Sequence, residues 1–303
     1  MTDPQLFRRH TIESQTMAKR RQFGDFPPRY THPDTSKIVL VPVAYDGTST
    51  YVKGADKGPE AILRASPNLE FYDIQTDSEV YTQGIYTDSP VAGFKKPEPM
   101  VEAVRKRVAG HIHNGKFVVV LGGEHSVSVG AIAAQAEANK NLTVLQLDAH
   151  SDLRDEYEGS RYNHACVMAR VKEICPIVQV GIRSMDVGEK KNMDCSRAFF
   201  AHDICDGQSR DWIDRCINLL TENVYITIDL DVFDPSILPA TGTPEPGGMG
   251  WYDVAALMKA VFAAKNVVGF DVVELCPRKE HWGSDFLAAK LVYSLLTYKF
   301  CRV

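Results

Sequence analysis

The chain has 303 residues, 44% hydrophobic and 24% charged, a composition that excludes disorder, collagen and coiled coil. A net charge of −5, offset by no long basic run (Arg20-Arg21 and Lys95-Lys96 are short pairs), argues against a nucleic-acid partner. No apolar run approaches the roughly 20 residues of a membrane span, and Met1 to His32 lacks the apolar core of a secretory signal; no membrane partner and a cytoplasmic location are expected.

Residues 1–35 read as an irregular arm, broken by Pro27-Pro28 and Pro33, and residues 36–303 as a single domain. Lys37 to Ala44 (KIVLVPVA) reads as a buried strand, and Gly58-Pro59 opens a helix with Glu60 in its first turn. Met100 to His113 is an amphipathic helix, Lys116 to Leu121 a strand, Ser126 to Ala138 a helix and Leu142 to Leu147 a strand. Further strands are expected at Ile177 to Ile182, Ala198 to Ala201, Val224 to Leu230 and Val267 to Val273. Helices are expected at Arg210 to Leu220, Trp251 to Ala264 and Asp285 to Tyr298. Short apolar strands alternating with helices imply an α/β fold: three layers, α/β/α, around a largely parallel central sheet. Such sheets bind ligands beyond the carboxyl ends of their strands. The seven cysteines form no CxxC pair, which fits reduced thiols rather than a disulfide framework or zinc finger.

Three acidic or histidine clusters follow three of these strands. Asp148-Ala149-His150-Ser151-Asp152 comes directly after LTVLQL. In an extended segment alternate residues share a side, so Asp148, His150 and Asp152 should converge. Asp229-Leu230-Asp231 follows VYITI, and Gly122-Gly123-Glu124-His125-Ser126 follows KFVVVL. A lone DxD is as often a cap or turn as a ligand pair. Together, however, two histidines and four aspartates exceed what one ion takes from side chains and suit two divalent ions. The oxygen and nitrogen donors suit Mn²⁺, Fe²⁺, Co²⁺ or Zn²⁺, and the excess of carboxylates leans toward manganese. Four carboxylates balance the charge of two such ions, and a water between them would be acidified to hydroxide at neutral pH.

GGEHS, DAHSD and DLDVFDPSILPATGTPEPGG resemble the metal-binding motifs of the ureohydrolase family, which includes arginase and agmatinase, and YDGTSTYVKGADKGPEAILR resembles its N-terminal segment. The similarity runs in motif order from about Val41 to the C-terminus. It implies an arginase-like fold with two Mn²⁺ held by His125, Asp148, His150, Asp152, Asp229 and Asp231, no ligand position being substituted. His164, in YNHA, is similar to the family's active-site histidine and would shuttle a proton to the leaving amine. Glu274, in FDVVELCP, is similar to the carboxylate that anchors the guanidinium, with Asp271 on the same strand as a rival. Asp231 would orient the nucleophile and relay its proton.

The implied reaction is hydrolysis of a small guanidino substrate with release of urea. The loop 153–161 lacks the Asn/Thr/Ser-rich stretch of arginases and is similar to agmatinase loops. Asp155, Glu156 and Glu158 would then meet an amine tail, making agmatine the expected substrate and putrescine the product. Arg154 and Arg161 leave a carboxylate-tailed guanidino acid open, and with it a guanidinobutyrase, arginase or formiminoglutamase; a non-catalytic metal-stabilised binding protein is the alternative of another class. Glu124 and Asp234 read as structural, His202-Asp203 as a strand-end turn, and His10, His32, His111, His113 and His281 have no ligand company. The resemblance implies a homotrimer or homohexamer.

Overall fold

In the computed structural model, residues 21–205 and 211–301 are described. Nine strands lie among them: β1 (Ile38–Ala44), β2 (Ile85–Thr87), β3 (Val91–Ala92), β4 (Phe117–Leu121), β5 (Leu142–Leu147), β6 (Ile177–Ile182), β7 (Ala198–Phe200), β8 (Asn223–Asp229) and β9 (Asn266–Val273). Eight form one sheet in the order β2-β1-β4-β9-β8-β5-β6-β7, every neighbouring pair parallel, and β3 joins β1. The helices are α1 (Gly58–Ala65), α2 (Pro97–His113), α3 (Val127–Ala138), α4 (Val167–Lys172), α5 (Ala201–Cys205), α6 (Asp211–Leu219), α7 (Trp251–Ala264) and α8 (Trp282–Phe300).

Strand alternation sorts the core into two layers. Ile38, Leu40, Val119, Leu121, Leu145 and Leu147 pack with residues of α1, α6, α7 and α8 on one face. Val39, Val41, Val118, Val120 and Val144 pack with α2, α3 and α4 on the other. A strand buried on both faces has no polar side to show, hence the unbroken apolar runs of β1 and β4. The expected three-layer α/β/α architecture is the one observed.

Two differences have physical causes. β2, β3 and α4 are too short to carry a readable period, and they hold their places by pairing and packing. The arm is joined to the body well before residue 36: Phe23 is fully buried, and Phe26 stacks on Tyr81 at 4.6 Å and meets Phe71 at 4.5 Å. Proline here does not prevent order, since Pro28 opens a short 3-10 turn to Tyr30. The rest of the arm, with His10 and Arg20, and Arg210 at the expected start of α6, lie outside the described residues. All seven cysteines are free thiols. Among the described residues no helix is long and apolar enough to cross a membrane.

The carboxyl ends of β1, β4, β5, β6, β8 and β9 open into loops at one edge of the sheet. These loops carry the three clusters singled out in the sequence, together with Glu274.

Candidate metal and substrate site

Each cluster leaves its strand by a tight turn. After β4, Gly123 passes so close to the chain after β1 that a Cβ there would stand 1.9 Å from the Tyr45 carbonyl oxygen. Close backbone approach, more than a sharp turn, is why glycine is needed. Glu124 N–H then donates to that same Tyr45 oxygen (2.9 Å), and His125 is set at the foot of α3. After β5 the chain does not stay extended as the period-two argument supposed: Asp152 adopts a left-handed backbone at φ 53°, which a short aspartate tolerates. After β8 a 3-10 turn, Leu230–Val232, begins at once, with Asp231 N–H bonded to the Asp229 carboxylate (2.9 Å). The expected side chains therefore converge, but through turns rather than through pleat alternation.

Two ligand groups result. His125, Asp148 and Asp229 bring donor atoms within 4.8 Å of one another, and so do Asp148, His150 and Asp231. Asp148 is common to both. Asp152 lies beside the first group, its carboxylate 3.0 Å from His125 Nδ1, which also lies 3.2 Å from Asp148 and 3.5 Å from Asp229. His150 Nδ1 lies 2.9 Å from Asp231.

The residues fit a pair of divalent ions on three counts. First, His125 Nδ1 is buried without a hydrogen-bond partner, while Nε2 lies 2.9 Å from the Thr227 hydroxyl. That hydroxyl donates to Asp271 (2.6 Å), which also accepts from Tyr225 (2.8 Å). Thr227 therefore accepts Nε2–H, leaving the Nδ1 lone pair for a cation, the usual way a metal-binding histidine is oriented. Second, the carboxylates lack positive charge. Burial, then Asp152 and Asp231, push the Asp148 carboxyl up to about 7. Burial, then Asp231 and Asp148, push Asp229 well above the usual range. Third, the histidines take up protons in place of cations. Burial alone would strip the proton from His125 and His150, yet the aspartates outweigh it and hold both above the ordinary imidazole range, His150 at about 10. The same attraction overcomes burial at Asp231, which falls to about 2. Divalent ions would supply the missing charge.

Beside this cluster lies a cleft of about 250 Å³, lined by His125, His150, Asp152 and Asp229 and by His164 and Glu274. Glu274 directly follows β9, at φ 65°, a rare backbone for glutamate. Its N–H donates to Gly123 (2.8 Å) and its Oε1 accepts from His125 N–H (2.8 Å). The strained turn thus aims the carboxylate into the cleft. Burial, then the nearby Glu124, raise its proton affinity, which a bound cation would reverse. Asp271 is fully buried beneath the cluster and supports Thr227, so it is no rival anchor.

The three acids expected at the substrate tail do not line the cleft. Asp155 faces Lys191 (3.6 Å), and Glu156 and Glu158 are exposed on a loop tip that turns at Glu158 (φ 48°) and Gly159. Side-chain direction in an irregular loop has no sequence period to reveal it. Arg161 turns outward to Glu173 (2.6 Å). Arg154 does line the cleft, stacked on Tyr157 at 4.2 Å and 3.8 Å from Glu189. Two further carboxylates line the cleft, the exposed Asp186 and the buried Glu189, both from the segment after β6, which the motif reading missed. Glu189 accepts from Ser151 Oγ (2.7 Å), Leu153 N–H (2.8 Å) and Asp186 N–H (2.7 Å), bracing both loops. Gln146 and Thr227 were also missed. The available signal was a polar side chain two residues before a strand-end aspartate in an otherwise apolar run; Gln146 donates to Asp148 at 2.7 Å.

Of the remaining residues, Glu124 accepts from Ser126 and Thr48 inside the fold. Asp234 accepts from Ser236, Gly247 and Gly248 and pins the 234–248 loop. His202 and Asp203 lie exposed on α5. His111 pairs with Asp88 at 2.8 Å, away from the cluster.

The Arginase family model matches residues 36–297. The chain is 41% identical over 275 residues to the N(1)-aminopropylagmatine ureohydrolase of Synechocystis sp., covering 86% of this chain and 88% of that one. It is 38% identical over 291 residues to the N(1)-aminopropylagmatine ureohydrolase of Thermus thermophilus, covering 92% and 95%. The crystal structure of agmatine ureohydrolase of Thermoplasma volcanium superposes with a TM-score of 0.84 at 30% identity, over 93% of this chain and 95% of that chain. With the family match spanning most of the chain and the two buried His/Asp groups at the carboxyl edge of its sheet, the chain belongs to the arginase family.

Proposed function

We propose that this chain is a manganese-dependent ureohydrolase that releases urea from a guanidinoalkylamine, with N(1)-aminopropylagmatine preferred and agmatine its shorter substrate. The observation that carries the chemistry is the pair of ligand groups sharing Asp148 beside a cleft that also holds His164 and Glu274. His125, Asp148, Asp152 and Asp229 would hold one ion, and Asp148, His150, Asp229 and Asp231 the other. Two such ions supply Lewis-acid activation of water, which the resonance-stabilised guanidinium needs as a poor electrophile.

The chain's own groups do the rest. Glu274 accepts guanidinium N–H groups at the oxygen that His125 N–H does not occupy, fixing the carbon to be attacked. Asp231, held at Oδ1 by Ala149 N–H (3.0 Å), relays the proton of the attacking water. His164 delivers a proton to the leaving amine, giving a free amine and urea. In the cleft the exposed Asp186 favours a cationic tail, while the Arg154 guanidinium is engaged by Glu189 and by the Tyr157 ring. The relatives at 41% and 38% identity, both N(1)-aminopropylagmatine ureohydrolases, support the aminopropyl-extended tail, in which case the product is spermidine; agmatine would give putrescine. A homotrimer or homohexamer in the cytoplasm completes the proposal.

Comparing kcat/KM for N(1)-aminopropylagmatine, agmatine, arginine and 4-guanidinobutyrate, with Mn²⁺ supplied and urea measured, tests it. The amine-tailed pair should lead by at least about tenfold, a difference of about 1.4 kcal/mol. A higher value for either carboxylate-bearing substrate overturns the tail assignment, and no urea from any of them overturns the activity.

A further inference from the structure

One hydrogen-bond chain at the site has no place in the mechanism so far. It begins at Glu124, a fully buried glutamate at the foot of α3. Its Oε2 accepts from Ser126 N–H (2.7 Å); its Oε1 accepts from Ser126 Oγ (2.9 Å) and Thr48 Oγ1 (2.8 Å). Both carboxylate oxygens thus face donors, and Oε1 sits between the hydroxyls of Ser126 and Thr48. Thr48 donates to Oε1 at 2.8 Å, so its single hydroxyl hydrogen points at Glu124. Thr48 Oγ1 has two further neighbours, the backbone N–H of His164 (2.9 Å) and its Nδ1 (3.3 Å). With its hydrogen committed, the hydroxyl can meet Nδ1 only as an acceptor.

We propose that Thr48, backed by Glu124, is a positioning residue that holds His164 in the tautomer with the proton on Nδ1. The inference rests on the reading of His164 as the proton shuttle. Nε2 is then the nitrogen left for the cleft, with its lone pair free. It takes up one proton to give an imidazolium bonded through Nδ1–H to Thr48. It then gives that proton to the leaving amine and returns to the same tautomer. No Thr48 proton moves, and no second proton is needed. The other tautomer would present Nε2–H, which cannot accept.

The test uses protein labelled with ¹⁵N at histidine and loaded with Zn²⁺, which is diamagnetic. Long-range ¹H–¹⁵N spectra are recorded where free imidazole is neutral, with His164 assigned through His164→Asn; urea release from N(1)-aminopropylagmatine is measured on the Mn²⁺-loaded protein. The parent should show the Nδ1–H pattern. Thr48→Val should lose it and lower kcat by about tenfold to a hundredfold, a part of the 10²–10⁴ that general acid–base catalysis supplies. KM and bound metal should stay unchanged. Thr48→Ser, which keeps the hydroxyl, should recover both the pattern and most of kcat; Thr48→Ala replaces the valine variant if that one does not fold. An Nε2–H pattern in the parent overturns the proposal. So does a valine variant with parental tautomer and kcat, or one whose lost activity tracks lost metal. If His164→Asn keeps parental turnover, the shuttle reading falls instead, whatever Thr48 does to the ring.

Discussion

Replacing Thr227 with valine keeps the shape of a fully buried side chain and removes only its hydroxyl. That hydroxyl lies 2.9 Å from His125 Nε2 and 2.6 Å from the Asp271 carboxylate. The variant leaves His125 Nε2–H without an acceptor and Asp271 with one donor fewer, while Tyr225 still donates to Asp271 at 2.8 Å. Each buried polar group left unsatisfied costs about 1–3 kcal/mol. The metal-free protein should therefore lose about 3 kcal/mol, or a Tm drop of about 5 °C for a chain of this size. Metal binding suffers separately, because the imidazole is no longer held with Nδ1 toward the ion. Loss of such a support weakens affinity about 10- to 100-fold, about 1.4–2.8 kcal/mol. Competition of Mn²⁺ against a chromophoric chelator reads the affinity, and thermal unfolding with EDTA reads the stability. The group containing His125 should weaken while that containing His150 does not, and Thr227→Ser should restore both measures. A valine variant that binds both ions with parental affinity would refute the argument that Thr227 orients His125.

Glu274→Gln removes the charge that pairs with guanidinium and leaves every proposed ligand in place; kcat/KM should fall by about a hundredfold or more with two ions still bound, and a loss of metal in elemental analysis would show Glu274 to be a ligand instead. Asp155→Asn and Glu158→Gln should leave kcat/KM for the amine-tailed substrates within about twofold, whereas Asp186→Asn should raise KM by about tenfold; the opposite ranking in steady-state kinetics would return the tail site to the 153–161 loop. Hydrogen bonds from Ser236, then from Gly247 and Gly248, hold the Asp234 carboxyl at about 2, against some burial cost. Its folded value lies below its unfolded one, so its stabilisation is present above about pH 4 and is lost as pH falls toward 2. Discounted for its partial exposure, it amounts to about 1 kcal/mol; the gap in urea midpoint between parent and Asp234→Asn should narrow across that window, and a pH-independent gap would dismiss the charge as its source.

The clusters themselves were legible in the chain because a parallel sheet covered on both faces leaves few places for charge. An aspartate or histidine directly after a continuous apolar run has to lie at the carboxyl edge, and β4, β5, β8 and β9 deliver four such edges together. Strand and helix periods, set by residues two and three or four apart, are local quantities, so α7 was readable to the residue and the layer order followed. What needed tertiary structure was direction. Asp152, Asp231 and Glu274 are held inward by partners elsewhere in the chain: Ala169 N–H on the Asp152 carbonyl, Ala149 N–H on the Asp231 carboxylate, and the Gly123 carbonyl that receives Glu274 N–H. The same holds for the 153–161 loop, whose acids face solvent because Lys191 and the loop's own reversal draw them there. Thr48 and Glu124 stand 76 positions apart, and Thr48 and His164 116. No local pattern encodes a contact of that range; it exists only once the loops after β1, β4 and β5 meet above the sheet.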